Sequence, residues 1–267
     1  MKFQIYNKKQ LNAEVFSMEI HAPRVAKKAK AGQFIILRVS ENGERVPLTI
    51  AGTDGENVRI IFQAVGKSTI ALSKKENGEC LQDFVGPLGV ATHLPESGRV
   101  AVIGGGLGAA ICLPQALALA KKGVTVDVVL GFRNKDLIIL EDEFEGCDLH
   151  ITTDDKGFVT DEFKKLIETG AKYDLVIAIG PLPMMKAVCE ITKELGIKTI
   201  VSMNSTMVDG TGMCGGCRVT IGGEVKFACV DGPDFDGHLV DFDEAMMRAG
   251  IYKKEEHKCR MGVKSNA

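Results

Sequence analysis

Three cysteines and one aspartate near the end of the chain have the spacing of a metal-binding loop. Asp209, Cys214, Cys217 and Cys229 follow the pattern Asp-x4-Cys-x2-Cys-x11-Cys. Thiolates and carboxylates are anionic ligands for metals, and the glycines between them allow the backbone to turn tightly around a bound group. The pattern therefore predicts a loop that supplies three ligands, with the fourth arriving from a later segment.

If Asp209 were cysteine, this spacing would be close to the Cys-x4-Cys-x2-Cys…Cys pattern of plant-type two-iron clusters. We therefore predict a [2Fe–2S] cluster with one carboxylate ligand, held by Asp209, Cys214, Cys217 and Cys229. The alternative is structural zinc, in which the three cysteines join Asp209, His238 or Cys259 in a tetrahedral site. The register and the glycine-rich loop favour the cluster, and free thiols are the least favoured interpretation.

The remaining cysteines fit a reducing environment. The chain has 8 cysteines, and its first ten residues, MKFQIYNKKQ, contain no apolar core of a signal peptide. Without such a signal, cysteines are expected as reduced thiols or metal ligands, which predicts a cytoplasmic protein. Cys80, Cys112, Cys147 and Cys189 have apolar neighbours and are interpreted as small buried hydrophobic side chains.

Composition excludes several functional classes. The chain has 267 residues, enough for about two domains, with 45% hydrophobic and 25% charged residues, as in ordinary globular proteins. A net charge of −2 and the absence of Trp give no sign of a nucleic-acid partner. Residues 100–120 are uncharged and long enough to span a membrane, but their clustered glycines and Pro114 favour a strand, a turn and a helix, so no membrane partner is expected.

Residues 1–97 are predicted to form a small antiparallel barrel, because short apolar strands alternate with turn signals. Two stretches of this domain indicate a cofactor. In the first, an arginine that can pair with a phosphate and a threonine that can hydrogen-bond a flavin edge flank a proline-stiffened strand. The residues concerned are Arg45, Pro47, Leu48 and Thr49. A surface arginine before an edge strand is the simpler alternative.

The second stretch of the barrel domain combines a glycine turn with hydroxyl groups at the start of a helix, which would form an anion cradle. Its candidate residues are Phe62, Val65, Gly66, Ser68 and Thr69. An ordinary helix N-cap explains the same pattern equally well.

Residues 98–202 change to alternating strands and helices, which predicts a parallel sheet and an α/β domain. Gly104-x-Gly106-x-x-Ala109 matches a dinucleotide-binding turn between a strand and a helix. The acidic residue that normally closes the next strand is missing, since that strand ends at Phe132-Arg133, so NAD and NADP are not distinguished there. The predicted cofactor contacts are Gly104, Gly106, Leu107, Gly108, Arg133, Asp155, Gly180 and Pro181.

Residues 203–250 form the predicted cluster-binding segment, with a hairpin across Gly222-Gly223, and residues 251–267 form a polar tail. The acidic run between Asp231 and Glu244 is interpreted as a solvated face. The order of the parts is thus an antiparallel flavin-binding barrel, a parallel-sheet NAD(P)-binding domain and a C-terminal [2Fe–2S] segment.

This order resembles the ferredoxin reductase superfamily, and the C-terminal cluster is similar to that in the electron-transfer subunit of dihydroorotate dehydrogenase. Arg45-Val-Pro-Leu-Thr-Ile resembles the flavin motif of that group, which implies FAD contacts from Arg45, Pro47, Leu48 and Thr49. Val65-Gly-Lys-Ser-Thr69 resembles its pyrophosphate loop, and Gly104-Gly-Gly-Leu-Gly108 resembles its nicotinamide-nucleotide turn.

Asp209 separates two subfamilies, because the dihydroorotate subunit has cysteine at this position. Aspartate, together with Met-Cys-Gly-Gly-Cys-Arg-Val-Thr and Phe-Ala-Cys-Val-Asp-Gly-Pro, resembles the small-subunit family of NADH-dependent reduced ferredoxin:NADP oxidoreductase, also described as sulfide dehydrogenase. The resemblance implies an oxidoreductase subunit in flavin-based electron bifurcation, with NAD(H), FAD and a [2Fe–2S] cluster. It also implies a heterodimer whose large subunit handles NADP(H) and ferredoxin.

Two alternatives remain at this point. One is the dihydroorotate dehydrogenase electron-transfer subunit, which would use the same three cofactors with a different partner. The other is a zinc-stabilised nucleotide-binding regulatory module without a redox role.

Overall fold

The computed structural model describes residues 3–251 and Lys254. The predicted tail lies outside the described residues except for Ile251 and Lys254, and so does Cys259. Within the described part, no helix is long and apolar enough to cross a membrane.

The first part of the chain is an antiparallel sheet of seven strands that curls into a nearly closed barrel, as the sequence predicts. Its elements, in chain order, are β1 (Phe3–Gln10), β2 (Val15–His21), α1 (Pro23–Ala26), β3 (Phe34–Arg38), β4 (Arg45–Asp54), β5 (Asn57–Gln63), α2 (Lys67–Ser73), β6 (Cys80–Leu81) and β7 (Asp83–Leu88). The strand order is β6-β1-β2-β5-β4-β3-β7. Alternate side chains of these strands, such as Ile20, Ile60 and Phe62, fill the barrel.

Strand β3 is apolar on both of its faces. Ile35 and Leu37 point into the barrel core, whereas Phe34 and Ile36 belong to a second core shared with the C-terminal segment. A strand that is buried on both faces has a continuous apolar run in place of alternation, as in Phe34-Ile-Ile-Leu37. One wall of the barrel is therefore covered by another part of the protein.

The second part is a mostly parallel sheet with helices on both faces, which confirms the α/β prediction. Its elements are β8 (Arg99–Gly105), α3 (Gly108–Lys121), β9 (Thr125–Phe132), β10 (Asp148–Thr153), α4 (Val159–Glu168), β11 (Leu175–Ile179), α5 (Leu182–Glu194) and β12 (Thr199–Ser202). Single 3-10 turns lie at Lys135–Leu137 and Glu141–Glu143. The strand order β10-β9-β8-β11-β12 reverses direction between β8 and β11, and this reversal is where open α/β sheets bind nucleotides.

The C-terminal segment begins with an irregular loop and continues as a hairpin of β13 (Arg218–Ile221) and β14 (Glu224–Phe227). It then adds β15 (Asp234–Asp236) antiparallel to β12, followed by a 3-10 turn (Gly237–Leu239) and α6 (Phe242–Ala249). The solvated-face expectation fails at β15, because Phe235 is buried and the Asp234 carboxyl faces inward between packed elements. The segment thus extends the sheet of the nucleotide-binding part.

Candidate functional site

The loop after β12 holds Asp209 in a defined orientation. The backbone N–H and the hydroxyl of Thr211 both donate to Asp209 Oδ1 at 2.5 Å, and the N–H of Cys214 donates to Oδ2 at 2.6 Å. Hydrogen bonds from Thr211 and then Cys214 hold the pKa of Asp209 well below its usual range. The carboxylate is therefore anionic and turned towards Cys214, as a metal ligand in this position must be.

The other two predicted ligands form a second pair. Cys217 and Cys229 are buried, and their thiols are neighbours. Burial raises the pKa of Cys229 to about 11, with Cys217 adding to the shift and the N–H of Gly212 opposing it. The site thus consists of Asp209 with Cys214 and of Cys217 with Cys229. Four ligands in two pairs are what a cluster of two irons requires, so the residues fit this group.

The zinc alternative is less well matched. Of its candidate ligands, His238 lies 3.0 Å from the hydroxyl of Thr192 on α5, measured from Nε2 to Oγ1, and Cys259 is outside the described residues. Backbone N–H groups at the loop also point at sulfur, as between Gly216 and Cys214 Sγ at 3.5 Å, which is the environment that iron–sulfur clusters use.

The cluster loop packs against the barrel. Gly210 has a φ of +77°, and a Cβ at this position would collide with Ile36 Cδ1 and lie 3.3 Å from Leu88 Cδ1. Cys217 and Cys229 share one hydrophobic core with Phe34 and Ile36 of β3. The loop that carries the candidate ligands therefore packs on the apolar outer wall of the barrel at Gly210, and Cys217 and Cys229 belong to the core that this wall shares.

The predicted flavin motif lies on the strand next to that wall. Residues that face each other across an antiparallel pair share one face of the sheet. Phe34 pairs with Thr49 and Ile36 with Pro47, so both motif residues lie on the outer face that the cluster loop covers. Neighbouring strands are about 4.8 Å apart, which makes the path from the flavin motif to the cluster loop short.

The remaining residues of this motif are placed differently. Arg45, at the start of β4, is exposed and available for a phosphate. The side chain of Leu48 packs against the barrel core, so that only its backbone faces outwards.

The second stretch predicted to bind the flavin, at the start of α2, lies next to Arg45 of the first. The hydroxyl of Ser68 donates to Glu44 at 2.7 Å, which places the start of α2 next to Arg45. Thr69 Oγ1 accepts hydrogen bonds from the N–H groups of Val65, at 3.1 Å, and Gly66, at 3.0 Å, and so caps the helix. The side chain of Phe62 is fully buried in the barrel core, away from this surface.

The glycine turn after β8 has the close packing that a dinucleotide site needs. A Cβ on Gly104 would lie 2.8 Å from Leu130 and 3.0 Å from Cys112, and a Cβ on Gly108 would collide with the carbonyl of Ile179. Gly106, by contrast, is exposed, has a φ of +57° and faces open space. Leu107 is the N-cap residue of helix α3. The turn thus presents bare backbone and a 14-residue helix N-terminus to an anion.

The other nucleotide candidates surround this turn at the carboxyl ends of the parallel strands. Gly180 and Pro181 follow β11, and a Cβ on Gly180 would lie 3.1 Å from the backbone nitrogen of Gly105. Arg133 follows β9 and Asp155 follows β10, and both are exposed. The structure therefore brings these predicted residues to one edge of the sheet: Gly180 and Pro181 lie at the reversal of strand order, whereas Arg133 and Asp155 follow the two strands beyond β8.

Comparison with known proteins identifies the family. The family model for the iron-sulfur cluster binding domain of dihydroorotate dehydrogenase B matches residues 204–241, which contain all four candidate ligands. A homologue of the dihydroorotate dehydrogenase B electron transfer subunit from Thermotoga maritima is 45% identical, over 95% of this chain and 92% of its own. The electron transfer subunit from Clostridium perfringens is 34% identical over 80% of this chain and 88% of its own. The chain belongs to the family of dihydroorotate dehydrogenase B electron transfer subunits and their homologues.

Among solved structures, a chain from the NADH-dependent reduced ferredoxin-NADP oxidoreductase, a structure described for flavin-based electron bifurcation, superposes with a TM-score of 0.93. It is 42% identical, and the match covers 98% of both chains. The solved chain and this chain thus share the same arrangement of barrel, nucleotide-binding domain and cluster segment.

Three residues that connect the parts of this protein are not among the predicted site residues. Phe34 and Ile36 form the contact between barrel and cluster loop, and the continuous apolar run of β3 was a signal for them. Asp234 is the third, and its position in an acidic run gave no sequence signal of burial.

Proposed function

We propose that this chain is the electron-transfer subunit of a flavin-based electron-bifurcating transhydrogenase. In this proposal it is an NAD(H)-dependent oxidoreductase subunit that holds FAD and a [2Fe–2S] cluster and forms a heterodimer with a large subunit, which handles NADP(H) and ferredoxin. The observation that carries the proposal is the loop of Asp209, Cys214, Cys217 and Cys229 lying on the barrel wall beside the flavin motif. The full-length similarity to a bifurcating enzyme supports it.

The barrel's part is to bind and orient the flavin. Arg45 is assigned to a phosphate of FAD, and Pro47 and Thr49 to the isoalloxazine edge, because they share the outer face of the sheet. Leu48 contributes backbone contacts, and Val65, Gly66, Ser68 and Thr69 form the neighbouring pyrophosphate loop. Phe62, whose side chain is buried in the barrel core, is assigned no direct contact with FAD.

The nucleotide-binding domain positions NAD(H). Gly104, Gly106, Leu107 and Gly108 admit the pyrophosphate to the N-terminus of α3, where the helix dipole favours negative charge. Gly180 and Pro181 line the crevice at the reversal of strand order, and Arg133 and Asp155 lie where the adenosine half would extend.

The bound groups supply hydride exchange between nicotinamide and flavin and one-electron exchange through the cluster. The chain itself needs no acid–base pair for this chemistry. Asp209, Cys214, Cys217 and Cys229 hold the irons, and the apolar wall of Phe34 and Ile36 excludes water between cluster loop and barrel.

A second candidate function is that of the dihydroorotate dehydrogenase B electron transfer subunit, which the matching family model and the names of several relatives favour. Both functions share FAD, NAD(H) and the cluster, and they differ in the large subunit. Asp209 in place of a cysteine ligand favours the bifurcating enzyme.

We also propose a cytoplasmic location. All seven cysteines among the described residues are free thiols, as expected in a reducing compartment where NAD(H) is available. The net charge of −2 supports neither nucleic acid nor a membrane as a partner.

Co-purification with each candidate large subunit tests the proposal. The expected result is a stable heterodimer with the ferredoxin- and NADP(H)-dependent subunit that reduces NADP⁺ only when NADH and reduced ferredoxin are both present. A complex that instead couples dihydroorotate oxidation to NAD⁺ reduction would establish the second candidate and refute the first.

A further inference from the structure

A buried polar contact joins the three parts of the protein at one carboxyl oxygen. The hydroxyl of Thr92, in the connection between β7 and β8, donates to Asp234 Oδ2 at 2.5 Å. Gln115 Nε2, on α3, lies 2.9 Å from Thr92 Oγ1 and 3.2 Å from Asp234 Oδ2. Gln115 is 0% exposed. The barrel connection, the nucleotide-binding helix and the cluster segment therefore meet at Asp234.

Asp234 follows closely after the ligand Cys229, and the chain between them is tied on both sides. The N–H of Val90 donates to the carbonyl of Gly232 at 2.7 Å, and the N–H of Met203 donates to the carbonyl of Pro233 at 2.8 Å. Asp234 itself pairs with Ser202 in the β12–β15 register. These ties hold the turn from Cys229 to Asp234 against β12 and the β7–β8 connection, so the Asp234 carboxyl lies at a fixed point of the segment that carries Cys229.

Burying this polar contact costs more free energy than is needed merely to hold the three elements together. Among the described residues, Asp234 Oδ1 and Gln115 Oε1 are buried without a hydrogen-bond partner. Burial raises the pKa of Asp234, and its polar neighbours Thr92, Ser202 and Gln115 only partly oppose this shift. Apolar side chains could join the same elements without burying these polar groups. Hydrogen bonds, unlike apolar contacts, fix how the joined groups are oriented, and this fixed geometry is what the polar contact provides.

We propose that Asp234 is a positioning residue for one-electron transfer between the flavin and the cluster. Through Thr92 and Gln115, its carboxyl sets where the segment carrying Cys217 and Cys229 lies relative to the barrel and to α3. This inference rests on the proposed function, since it requires both cofactors. Asp234 is not assigned a contact with either group and acts only through the elements that it joins.

A separate contact sets the geometry between the barrel and the nucleotide-binding domain. Arg59 on β5 makes two hydrogen bonds to the Glu143 carboxylate, one of them of 2.9 Å to Oε1. Asn12 Nδ2 also donates to the carbonyl of Leu137 at 3.3 Å. Neither contact involves the cluster segment, so Glu143→Gln provides a matched control for the loss of an interdomain tie.

The experiment uses the anaerobic holoprotein mixed rapidly with NADH. Flavin bleaching and cluster reduction, the latter by freeze-quench EPR, are followed separately in the wild type, Asp234→Ala, Asp234→Asn and Glu143→Gln. For Asp234→Ala we expect flavin reduction within about twofold of the wild type and cluster reduction slowed about fourfold or more, since the rate of electron transfer falls steeply as the two groups move apart. Asp234→Asn, which retains the shape and hydrogen-bonding capacity, should restore most of the cluster rate, whereas Glu143→Gln should slow flavin reduction.

Equal cluster reduction in Asp234→Ala and the wild type would overturn the inference, and so would an equal slowing of both steps. If Asp234→Ala loses iron, Thr92→Val replaces it in the comparison: slower cluster reduction with full iron content supports the inference, and an unchanged rate overturns it. A wild-type protein whose flavin is reduced by NADH but whose cluster is not would instead refute the proposed function, and the inference with it.

Discussion

Substitution of Gly210 by alanine tests whether the cluster loop is seated on the barrel wall. Gly210 has a φ of +77°, and the added methyl group would collide with Ile36 and press on Leu88. Gly223→Ala is the matched control, since Gly223 has a φ of +82° and no atom within 4 Å of the added Cβ. Both variants carry the backbone strain of a left-handed residue, about 1–2 kcal/mol, and only Gly210→Ala adds overpacking, about 1–3 kcal/mol.

The difference between the two variants therefore isolates the contact between loop and barrel. At about 2–4 °C per kcal/mol for a chain of this size, we expect Gly210→Ala to melt about 2–12 °C below Gly223→Ala. Because the collision lies next to Asp209, we also expect less iron per chain and an altered EPR spectrum in Gly210→Ala alone. Thermal unfolding by circular dichroism, iron analysis and EPR measure these effects. Equal melting temperatures and equal iron contents would refute the packing of the loop on β3.

Three further predictions concern the ligand, the nucleotide turn and the buried acid. Asp209→Cys should retain the cluster with a shifted reduction potential and EPR spectrum, because ligand charge and type set both; unchanged values would argue against the carboxylate ligand. Gly106→Ala places a methyl group in the open space expected for the anion, at a φ of +57°, and should raise the KM for NADH about tenfold or more without altering the flavin spectrum. Gly123→Ala, at the far end of α3, also has a positive φ (+79°) in open space and should leave this KM unchanged. Equal KM values for the two variants would refute the assignment of the turn. The native pKa of Asp234 is raised, so the contribution of this carboxyl to the free energy of unfolding should fall as pH rises from about 4 through that native pKa. The melting temperature of the wild type should therefore decline relative to that of Asp234→Asn over this range; parallel profiles of melting temperature against pH would contradict it.

The sequence predicts the regular elements well where periodicity is strong. The β13–β14 hairpin appears across Gly222-Gly223 as expected. The barrel and the parallel sheet also contain strands with local signals, such as the apolar alternation of β2 and the buried apolar run of β11. The four candidate cluster ligands are likewise predicted from a local signal, because the spacing of ligands within a loop can be read directly from the sequence.

The elements that were missed depend on long-range contacts. Strand β7, which carries Gly86-Pro87, has the composition of a turn and becomes a strand only by pairing with β3. Strand β15 lies in an acidic run and becomes a strand through its pairing with β12, which buries Phe235. No local sequence pattern predicts the contact of the Asp234 carboxyl with Thr92 and Gln115, since these residues are far apart in the chain.

The central claim is that one chain carries a nucleotide-reducible flavin and a two-iron cluster with an aspartate ligand. Anaerobic titration of the purified protein with NADH, followed by visible absorption and EPR, tests it most directly. We expect flavin absorption bands, about two irons per chain, bleaching of the flavin by NADH and the EPR signal of a reduced [2Fe–2S] cluster. A colourless protein with about one zinc per chain and no EPR signal would contradict the claim.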